Sequence, residues 1–454
     1  MQILRGLSED LARAVLQASP CSLQHHISVL PADLHYVSIH AALPTALSDG
    51  IIELDASTVS TSTASTMLHQ FSGNPSVRCF SLTNLPSIPV TSTASEEFHS
   101  AAGSMLRDCN TTTARFFLQL ATPGTLETLS SMLGVLEHNY QLRTLHIGHP
   151  APHRRSNVQS VDVKSLFQLV HVVSAALSMP SLHSLSELTL CWGMGRFDLD
   201  DCSQKAMSRS LQQLTLLTAL QLDCGMGNTA VLAEALRHLS HLQKLSLSLY
   251  LRAAKKRHAR TDRKPFLQSL ASLRGLLSFH LSISFIESGS FPLGVSEPLL
   301  NLTNLQHLDL GSVLIRAEDV SDLSRALRAP KLQSLAVCVG NVESEVAGML
   351  VCVAESSAST CTSLRLSSNI HIFRLMRLHE KFYALGSEQL VVPTVASVVR
   401  TTARLPALLA QLTALQNLSL HNCTLGDTEV LRILRAMANA VSYTHLTLPT
   451  TPYV

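Results

Sequence analysis

A short apolar motif, leucine-x-x-leucine-x-leucine, recurs along most of this 454-residue chain. Clear copies begin at Leu142, Leu185, Leu217, Leu242, Leu305, Leu332 and Leu415, and a copy that begins with Cys361 follows the same pattern. We use the fourth residue of each copy as its marker. A drifted copy begins at Leu273, with Phe279 as its marker, and the markers Phe279, Leu308, Leu335 and Leu364 lie 29, 27 and 29 residues apart. A regular period of this size predicts a stack of similar structural units.

Each unit is predicted to contain one strand and one helix. The last two leucines of the motif alternate with polar residues, which indicates a strand with one face in a core. Residues 229–240 and 320–330 place apolar residues three and four positions apart, which favours helices between the strands. One strand and one helix cannot bury their own apolar faces, so the units must stack with their strands parallel. The predicted class is therefore an α/β solenoid.

The copy from Leu415 to Leu425, with Leu418, Leu420 and Cys423 between them, matches every position of L-x-x-L-x-L-x-x-N/C-x-L. The chain thus resembles the leucine-rich-repeat family, and in particular its ribonuclease-inhibitor-like branch with long repeats. This resemblance implies a horseshoe-shaped solenoid with a parallel concave sheet and helices on the convex side. It extends well over residues 116–440 and poorly over residues 1–115.

We therefore expect residues 1–115 to form degenerate N-terminal repeats with Ser/Thr-rich loops, and residues 116–440 to form the regular array. The weaker upstream markers are predicted at Ile27, Ile52, Phe80 and Leu118. Residues 390–392 are predicted to form one degenerate strand within the regular array.

Residues 441–454 need a separate interpretation. Leu446 follows Leu418 by 28 residues, in phase with the repeat. However, residues 441–450, Val-Ser-Tyr-Thr-His-Leu-Thr-Leu-Pro-Thr, resemble codon for codon the translation of a transposase-type sequencing adapter. We expect this tail to be adapter-derived read-through, and the natural chain to continue with more repeats and a polar cap.

Composition narrows the possible partners and compartments. Lys and Arg number 34 and Asp and Glu 32, so a net charge of +2 creates no global field that favours nucleic acid or an anionic membrane. No apolar run approaches the ~20 residues needed to cross a bilayer. The chain has ten cysteines but no Cys-x-x-Cys pair, which favours a reducing, cytoplasmic location over a metal site or a disulfide framework.

Motifs typical of enzymes are missing or have a simpler explanation. Gly225-Met-Gly227 imitates a dinucleotide-binding turn, but Gly193-Met-Gly195 lies in the same phase of its own repeat, so both indicate a repeat turn. Cysteines just after predicted strands indicate structural thiols at Cys191, Cys224, Cys338 and Cys423. We expect no catalytic residue, no cofactor and no metal ion.

The polar residues between the leucines are predicted to line the concave face and to bind a partner protein. This predicted partner-binding set is Arg143, His146, Glu187, Gln221, Asp223, Lys244, Gln306, His307, Asp309, Arg365, Asn417 and His421. No cluster of Trp, Tyr or Arg marks an energetic centre within it. The sequence therefore leaves the identity of the partner and the oligomeric state open.

Two lengthened repeats carry basic stretches on the same predicted edge, with the acidic residues 198–201 between them. These basic residues are Arg154, Arg155, Lys255, Lys256, Arg257, Arg260, Arg263 and Lys264. Three interpretations remain open: solvated loops, a protein-docking edge, or nuclear import or nucleic-acid contact through residues 255–264. The missing interleaved aromatic residues argue against nucleic acid.

The sequence favours a non-catalytic protein-interaction scaffold, because an extended polar sheet suits a macromolecular partner. Two alternatives remain open. Leu30-Pro-Ala-Asp-Leu34 resembles the start of an F-box and would indicate a substrate adaptor of a ubiquitin ligase. A GTPase-activating solenoid would use a strand-face arginine, for which Arg143 and Arg365 are the candidates.

Overall fold

The structure is a computed structural model of the whole chain. It describes residues 51–55, 65, 68–69, 72–75, 77–83, 93–118, 123–148, 163–192, 199–223, 228–251, 264–285, 296–315, 317–328, 331–339, 351, 353, 355–357, 359–368, 405–421, 432, 435 and 445–447. The chain forms two compact units, Met1–Cys224 and Gly225–Val454, called unit 1 and unit 2 below.

Unit 1 alternates strands and helices in chain order. Its strands are β1 Ile51–Asp55, β2 Cys79–Thr83, β3 Thr113–Phe117, β4 Thr144–Gly148, β5 Glu187–Cys191 and β6 Ala219–Asp223. Its helices are α1 Thr93–Asp108, α2 Pro123–Val135, α3 Val163–Leu177 and α4 Asp201–Gln213, with 3₁₀ turns at Leu136–His138 and Pro180–Ser184. Each of these strands pairs in parallel with the next along the chain.

Unit 2 repeats this arrangement. Its strands are β7 Lys244–Leu251, β8 Ser278–Phe285, β9 His307–Ile315, β10 Ser334–Val339, β11 Ser363–Ser368, β12 Asn417–His421 and β13 His445–Thr447. Its helices are α5 Thr229–Leu236, α6 Lys264–Ser272, α7 Ser296–Leu299, α8 Ala317–Ala326 and α9 Leu405–Leu409. Every strand from β7 to β13 again pairs in parallel with the next, and the register between β9 and β10 shifts after Val337.

The core of each unit is built from the marker residues and the apolar residue two positions later. In unit 1, Leu145, Leu188 and Leu220 align across neighbouring strands and are at most 1% exposed. Side chains alternate across a strand, so the residues between these leucines face the opposite way, and the burial pattern of β5 alternates accordingly. The motif therefore fixes which side chains face the core.

A regular set of hydrogen bonds fixes the start of each strand. The carbonyl oxygen two residues before one marker accepts two N–H bonds from the next repeat. The Arg143 oxygen, for example, accepts from the N–H groups of Ser186 and Glu187 at 2.8 and 2.9 Å. In unit 2 the Gln306 oxygen accepts in the same way from Gln333 and Ser334 at 2.7 and 3.0 Å. Because the pattern recurs, neighbouring strands start in step.

These observations confirm the predicted α/β fold of leucine-rich-repeat type. Strands are found at the markers Ile52 and Phe80, and Phe279 and Leu281 lie in β8 as predicted. The predicted helices at 229–240 and 320–330 correspond to α5 and α8. Ile27 and residues 390–392 lie outside the described residues. Leu446 aligns with Leu418, in the phase that the period predicts.

One predicted marker is wrong. Leu118 follows β3, whereas Ala114 is the residue that aligns with Phe80 on one side and Leu145 on the other. An alanine at the marker position hides the motif, and the prediction rests instead on Leu118, which lies 27 residues before Leu145. The error shifted the strand by four residues and left Arg115 unrecognised.

Membrane-spanning helices and metal-binding clusters are both absent from the described residues. None of the helices in the described ranges combines the length and apolar character that crossing a bilayer requires. Within the same residues, no group of three or more His, Cys, Asp or Glu side chains could hold a metal ion.

Candidate functional site

The candidate site in each unit is the outward face of its strands. Three rows of side chains run across the strands on this face, at the position before the marker, one after it and three after it; we call them the first, middle and end rows. In unit 1 between β3 and β6, the middle row is Arg115, His146, Thr189 and Gln221 and the end row is Phe117, Gly148, Cys191 and Asp223. Thr144, Glu187 and Ala219 belong to the first row. Mixed polar, aromatic and charged groups thus share one surface.

His146 is a half-buried polar side chain of this surface. Its ring centroid lies 4.7 Å from that of Phe117 on the neighbouring strand, with 56° between the ring planes. Burial, with a smaller contribution from the positive charge of Arg115, lowers the pKa of His146 to about 4. At neutral pH this imidazole is therefore uncharged, and Arg115 is the cation of the local surface.

Gly148 explains how the ring of His146 can lie so close to the sheet. A Cβ atom on Gly148 would lie 2.9 Å from Nε2 of His146 and 2.8 Å from the carbonyl oxygen of Cys191. A side chain at this position would compete with the imidazole for the same space. The glycine therefore lets the histidine ring cover the backbone of its own strand.

The cysteines that the structure describes are present as thiols and not in disulfide bonds. Cys191 is the last residue of β5 and Cys338 lies within β10, so both lie in strands and not just after them as predicted. Burial and the charge of Asp223 raise the pKa of Cys191 to about 12, against a hydrogen bond from Gln221 that lowers it. Burial raises the pKa of Cys361 to about 11. Both thiols are protonated at neutral pH, as suits a structural role. Cys224 and Cys423 lie outside the described residues.

Arg143 does not lie on the strand face as predicted. It precedes the first residue of β4, and its Nη1 donates a hydrogen bond to the Ser184 carbonyl oxygen at 3.0 Å. The motif shows that this residue lies between two leucines, but the strand begins one residue later than the prediction assumed. Gln306 likewise precedes its strand, β9.

Glu187 keeps its predicted place. It is the first residue of β5 and is exposed, and Thr144 Oγ1 on β4 donates a hydrogen bond to its Oε2 at 3.5 Å. Gln221 is exposed and Asp223 half-buried, and both lie on β6. These three residues form the polar and acidic side of the unit 1 face.

The outward face of unit 2 is richer in serine than that of unit 1. Its first row from β7 to β12 is Lys244, Ser278, His307, Ser334, Ser363 and Asn417. Its middle row is Ser246, His280, Asp309, Ala336, Arg365 and Ser419. The six predicted residues Lys244, His307, Asp309, Arg365, Asn417 and His421 all lie in strands of this unit, His421 as the last residue of β12.

One His–Asp side-chain pair lies within this serine-rich surface. Nδ1 of His280 lies 3.0 Å from Oδ2 of Asp309 across β8 and β9, and each side chain is 39% exposed. His280 is not in the predicted set, although it alternates with Phe279 and Leu281 in the drifted copy of the motif. Arg115 is also absent from the predicted set, because the prediction placed the marker of β3 at Leu118 instead of Ala114.

The basic stretches are described only in part. Lys264 is an exposed residue at the start of α6, so its predicted place in a loop is wrong. Helix formation by residues 264–272, whose Phe266, Ser269 and Leu270 are buried, determines this position. Outside the described residues lie Arg154, Arg155, Lys255, Lys256, Arg257, Arg260 and Arg263, together with both Gly-Met-Gly turns.

The acidic stretch between the basic stretches contains a helix cap. Asp200 precedes α4, and its Oδ1 accepts a hydrogen bond from the N–H of Ser203 at 2.7 Å. Hydrogen bonding from Ser203, with a smaller contribution from His171, lowers the pKa of Asp200. This carboxylate accepts a hydrogen bond from an N–H group that has no acceptor within the helix. The capping role explains Asp200 without a partner protein.

The repeated strand and helix units define a protein of the leucine-rich-repeat class by its fold. No protein family model and no curated protein matches the sequence. Among solved structures, the chain is similar to TLR13 in its complex with ssRNA13, at 16% identity and a TM-score of 0.38, over 85% of this chain and 45% of that one. It is also similar to the leucine-rich repeat-containing protein LegL7 from Legionella pneumophila, at 14% identity and a TM-score of 0.36, over 74% of this chain and 99% of that one. The chain thus spans less than half the length of TLR13.

Proposed function

We propose that this chain is a non-catalytic scaffold that binds another protein through the outward strand faces of its repeats. The proposal includes the ribonuclease-inhibitor-like branch of the leucine-rich-repeat class and a cytoplasmic location. Its main support is that exposed and half-buried polar side chains recur from strand to strand in the first and middle rows, at about 4.8 Å spacing. Such a surface is extended and open, which suits a macromolecule better than a small molecule enclosed in a pocket.

The rigidity of the face favours binding. The rows belong to strands whose backbone groups are already hydrogen-bonded to their neighbours, so little backbone entropy is lost when a partner docks. In unit 1 the face combines the cation Arg115 with the acidic residues Glu187 and Asp223. A partner would therefore need both charge types opposite this unit, which gives selectivity by charge complementarity.

Exposed apolar side chains beside the unit 1 face support the same proposal. Tyr140 is 66% exposed and Leu216 is 54% exposed, and they lie in the turns that lead into β4 and β6. The 3₁₀ turn Pro180–Ser184 leads into β5 between them, and Ser184 Oγ donates to the Tyr140 carbonyl oxygen at 3.4 Å. Tyrosine is a common energetic centre of protein interfaces. This edge is the best candidate for an apolar anchor of a partner.

Site-specific photo-crosslinking in cells tests the proposal. A photoreactive amino acid replaces Glu187 on the strand face of unit 1, and the matched control replaces Glu127, an exposed residue of α2. The same comparison in unit 2 uses Lys244 and Glu234, which is exposed on α5. We expect one discrete protein adduct from the strand-face positions and none from the helix positions. Equal adducts from both sides, or adducts only from the helices, would contradict the proposal.

The alternatives have weaker support. Residues 30–39, which resemble the start of an F-box, lie outside the described residues. For a GTPase-activating function, Arg365 is exposed on β11, whereas Arg143 is engaged by Ser184. Stimulated GTP hydrolysis by purified protein, lost in Arg365→Ala, would favour that function over the scaffold. Nuclear import through residues 255–264 also remains a prediction.

We further propose that residues 441–454 are adapter-derived and take no part in partner binding. The support is the match of ten consecutive residues, 441–450, to the translation of a transposase-type adapter. Sequencing the transcript across the codon for Ala440 tests this directly. A transcript that encodes residues 441–454 as given would overturn the proposal, and a different sequence after Ala440 would support it.

A further inference from the structure

The charges of unit 2 are distributed unevenly between its strands and its helices. We consider strands β7 to β12 and the five residues that precede the marker of each strand. This strand side carries four Lys or Arg residues, namely Lys244, Arg274, Lys331 and Arg365, and all four are exposed. The only carboxylate that the described residues place there is Asp309. We call these four cations the basic strand surface.

The single carboxylate of Asp309, whose Oδ2 lies 3.0 Å from Nδ1 of His280, balances one of the four cations and leaves an excess of three positive charges. On the helical side, by contrast, two arginines have carboxylate partners. Arg325 pairs with Asp322 within α8, and Arg328 Nε lies 3.6 Å from Oε2 of Glu355. Among the described residues, the four cations of the basic strand surface form no ion pair.

The cations are spread over an area that fits an extended chain. Lys244 lies on β7 and Arg365 on β11, four strand spacings away, which corresponds to roughly 19 Å. Arg274 and Lys331 lie in the turns before β8 and β10. At about 3.3 Å per residue, a polypeptide segment of about six residues spans this distance.

Glutamines lie between the cations and provide uncharged hydrogen-bonding groups. The position two residues before the marker is a glutamine in four copies, namely Gln243, Gln306, Gln333 and Gln416. Three of these glutamines are exposed and Gln306 is half-buried. A carboxamide both donates and accepts, so this row can bond to the N–H and C=O groups of an extended backbone. Exposed Lys and Arg beside it are suited to carboxylates.

We propose that the basic strand surface binds an acidic, extended segment of a protein partner. This inference rests on the proposed scaffold function and specifies the partner's chemistry. Nucleic acid is a poorer fit, because single strands bind through aromatic side chains on which bases stack. No Trp, Tyr or Phe occupies the first or middle row of unit 2.

Fluorescence anisotropy with the full chain tests this proposal. The probe is a fluorescein-labelled peptide of about twelve residues that alternates glutamate and serine, long enough to cover the surface. Glutamine replaces glutamate in the neutral control peptide, and an oligothymidylate of equal length represents nucleic acid. The test variant is Lys244→Gln, Arg274→Gln, Lys331→Gln and Arg365→Gln combined. The matched control variant, Arg237→Gln, Lys264→Gln, Arg432→Gln and Arg435→Gln, removes the same charge from exposed positions elsewhere in unit 2.

We expect the acidic peptide to bind, the neutral peptide not to bind, and the test variant to lose about tenfold or more in affinity, with a weaker effect at high salt. The control variant should change affinity by less than about twofold. Equal losses in both variants, no binding of the acidic peptide, or tighter binding of the oligothymidylate that depends on the same four residues would overturn the proposal.

A cellular readout separates this inference from the proposed function. The photo-crosslinking from position 187 in unit 1 is repeated with a chain that also carries the four test substitutions. The yield of the same partner adduct is then compared. Capture that persists unchanged overturns the acidic-segment proposal and leaves the scaffold function supported. Capture that is lost supports both, provided that circular dichroism shows the same fold for the variant and for the parent protein.

Discussion

The imidazole of His146 packs on the phenyl ring of Phe117 across β3 and β4, with their centroids 4.7 Å apart. The contact depends on Gly148, whose missing side chain leaves room for the imidazole. His146 belongs to the predicted partner-binding set, but at neutral pH it offers an uncharged, enclosed ring. Its contribution to a partner surface is shape, whereas Arg115 beside it supplies the charge.

The lowered pKa of His146 predicts a specific dependence of stability on pH. The pKa is about 4 in the folded chain against an ordinary value of 6.5. Between these pH values the unfolded chain binds a proton that the folded chain does not, so the free energy of unfolding decreases as pH falls through this window. Above pH 6.5 both states are neutral and the effect vanishes. We expect His146 to account for a loss on the order of 2 kcal/mol between pH 6.5 and pH 4.

Urea unfolding at several pH values measures this contribution. Carboxylates titrate in the same window, so the informative quantity is the difference in pH dependence between the parent chain and His146→Gln. The glutamine variant should lose less stability on acidification. His241→Gln removes an exposed histidine in the turn before β7 and is the matched control. Identical pH dependence in all three proteins would show that the His146 ring is freely protonated.

Gly148→Ala should destabilise the protein by about 1–3 kcal/mol, because the new Cβ would lie 2.8 Å from the Cys191 carbonyl oxygen. A backbone oxygen held in a sheet cannot move away as a flexible side chain could. Gly134→Ala is the matched control, since a Cβ there meets no atom within 4 Å and the residue lies in α2. Alanine at this helical position should leave stability unchanged or raise it by up to about 1 kcal/mol. Similar urea midpoints for both variants would contradict the packing role of Gly148.

The sequence predicted the strands well wherever leucine occupied the marker position. The motif contains both the alternation of a strand and the period of the stack, and both are local properties of the chain. The prediction failed at β3, where Ala114 replaces the marker leucine. A small residue there is compatible with the stack because neighbouring side chains, including the buried Phe80 and Phe116, surround it. That compensation depends on packing within β3 and against the neighbouring repeat, and it is invisible in the motif itself.

The candidate site was predictable as a face but not as chemistry. The motif shows which side chains point outwards, and it correctly placed Glu187, Gln221, Lys244 and Arg365 on strands. It could not show that Arg143 bonds to Ser184, or that Gly148 allows His146 to become enclosed. Both effects depend on distances between residues of neighbouring repeats or across one strand. The pKa of His146 and the role of Arg115 follow from those distances.

Thiol reactivity should distinguish the half-buried Cys191 and the buried Cys361 from the exposed Cys202. The thiolate is the reactive form, and the pKa values of about 12 for Cys191 and about 11 for Cys361 keep both thiols protonated at pH 8. Cys202 is exposed on α4. Brief iodoacetamide treatment of the native protein, followed by peptide mass spectrometry, should label Cys202 and spare the other two. Labelling in urea provides the control for full modification, and equal native labelling of Cys191 and Cys202 would refute the assignment.

Asn139 should be the most sensitive polar position of the turn between α2 and β4, because it is 4% exposed and fully hydrogen-bonded. Its Nδ2 donates to the carbonyl oxygens of Leu106 and Thr111 at 2.8 and 3.2 Å. Its Oδ1 accepts from the N–H groups of Gln141 and Leu142 at 3.0 and 3.1 Å. One side chain thus joins the end of α1, the segment before β3 and the start of its own motif copy.

Asn139→Ala removes these four bonds and leaves several buried backbone groups without a partner, so we expect a loss of about 2–4 kcal/mol in the free energy of unfolding. Asn139→Asp should be at least as damaging at neutral pH, because a carboxylate oxygen would then face the carbonyl oxygens of Leu106 and Thr111. It should recover partly at acidic pH, where a protonated carboxyl can donate. Asn110→Ala is the matched control: its exposed Nδ2 donates only to Pro75 at 3.4 Å among the bonds described, and its loss should cost less than about 0.5 kcal/mol. Equal urea midpoints for Asn139→Ala and Asn110→Ala would show that the buried bonds do not hold the turn.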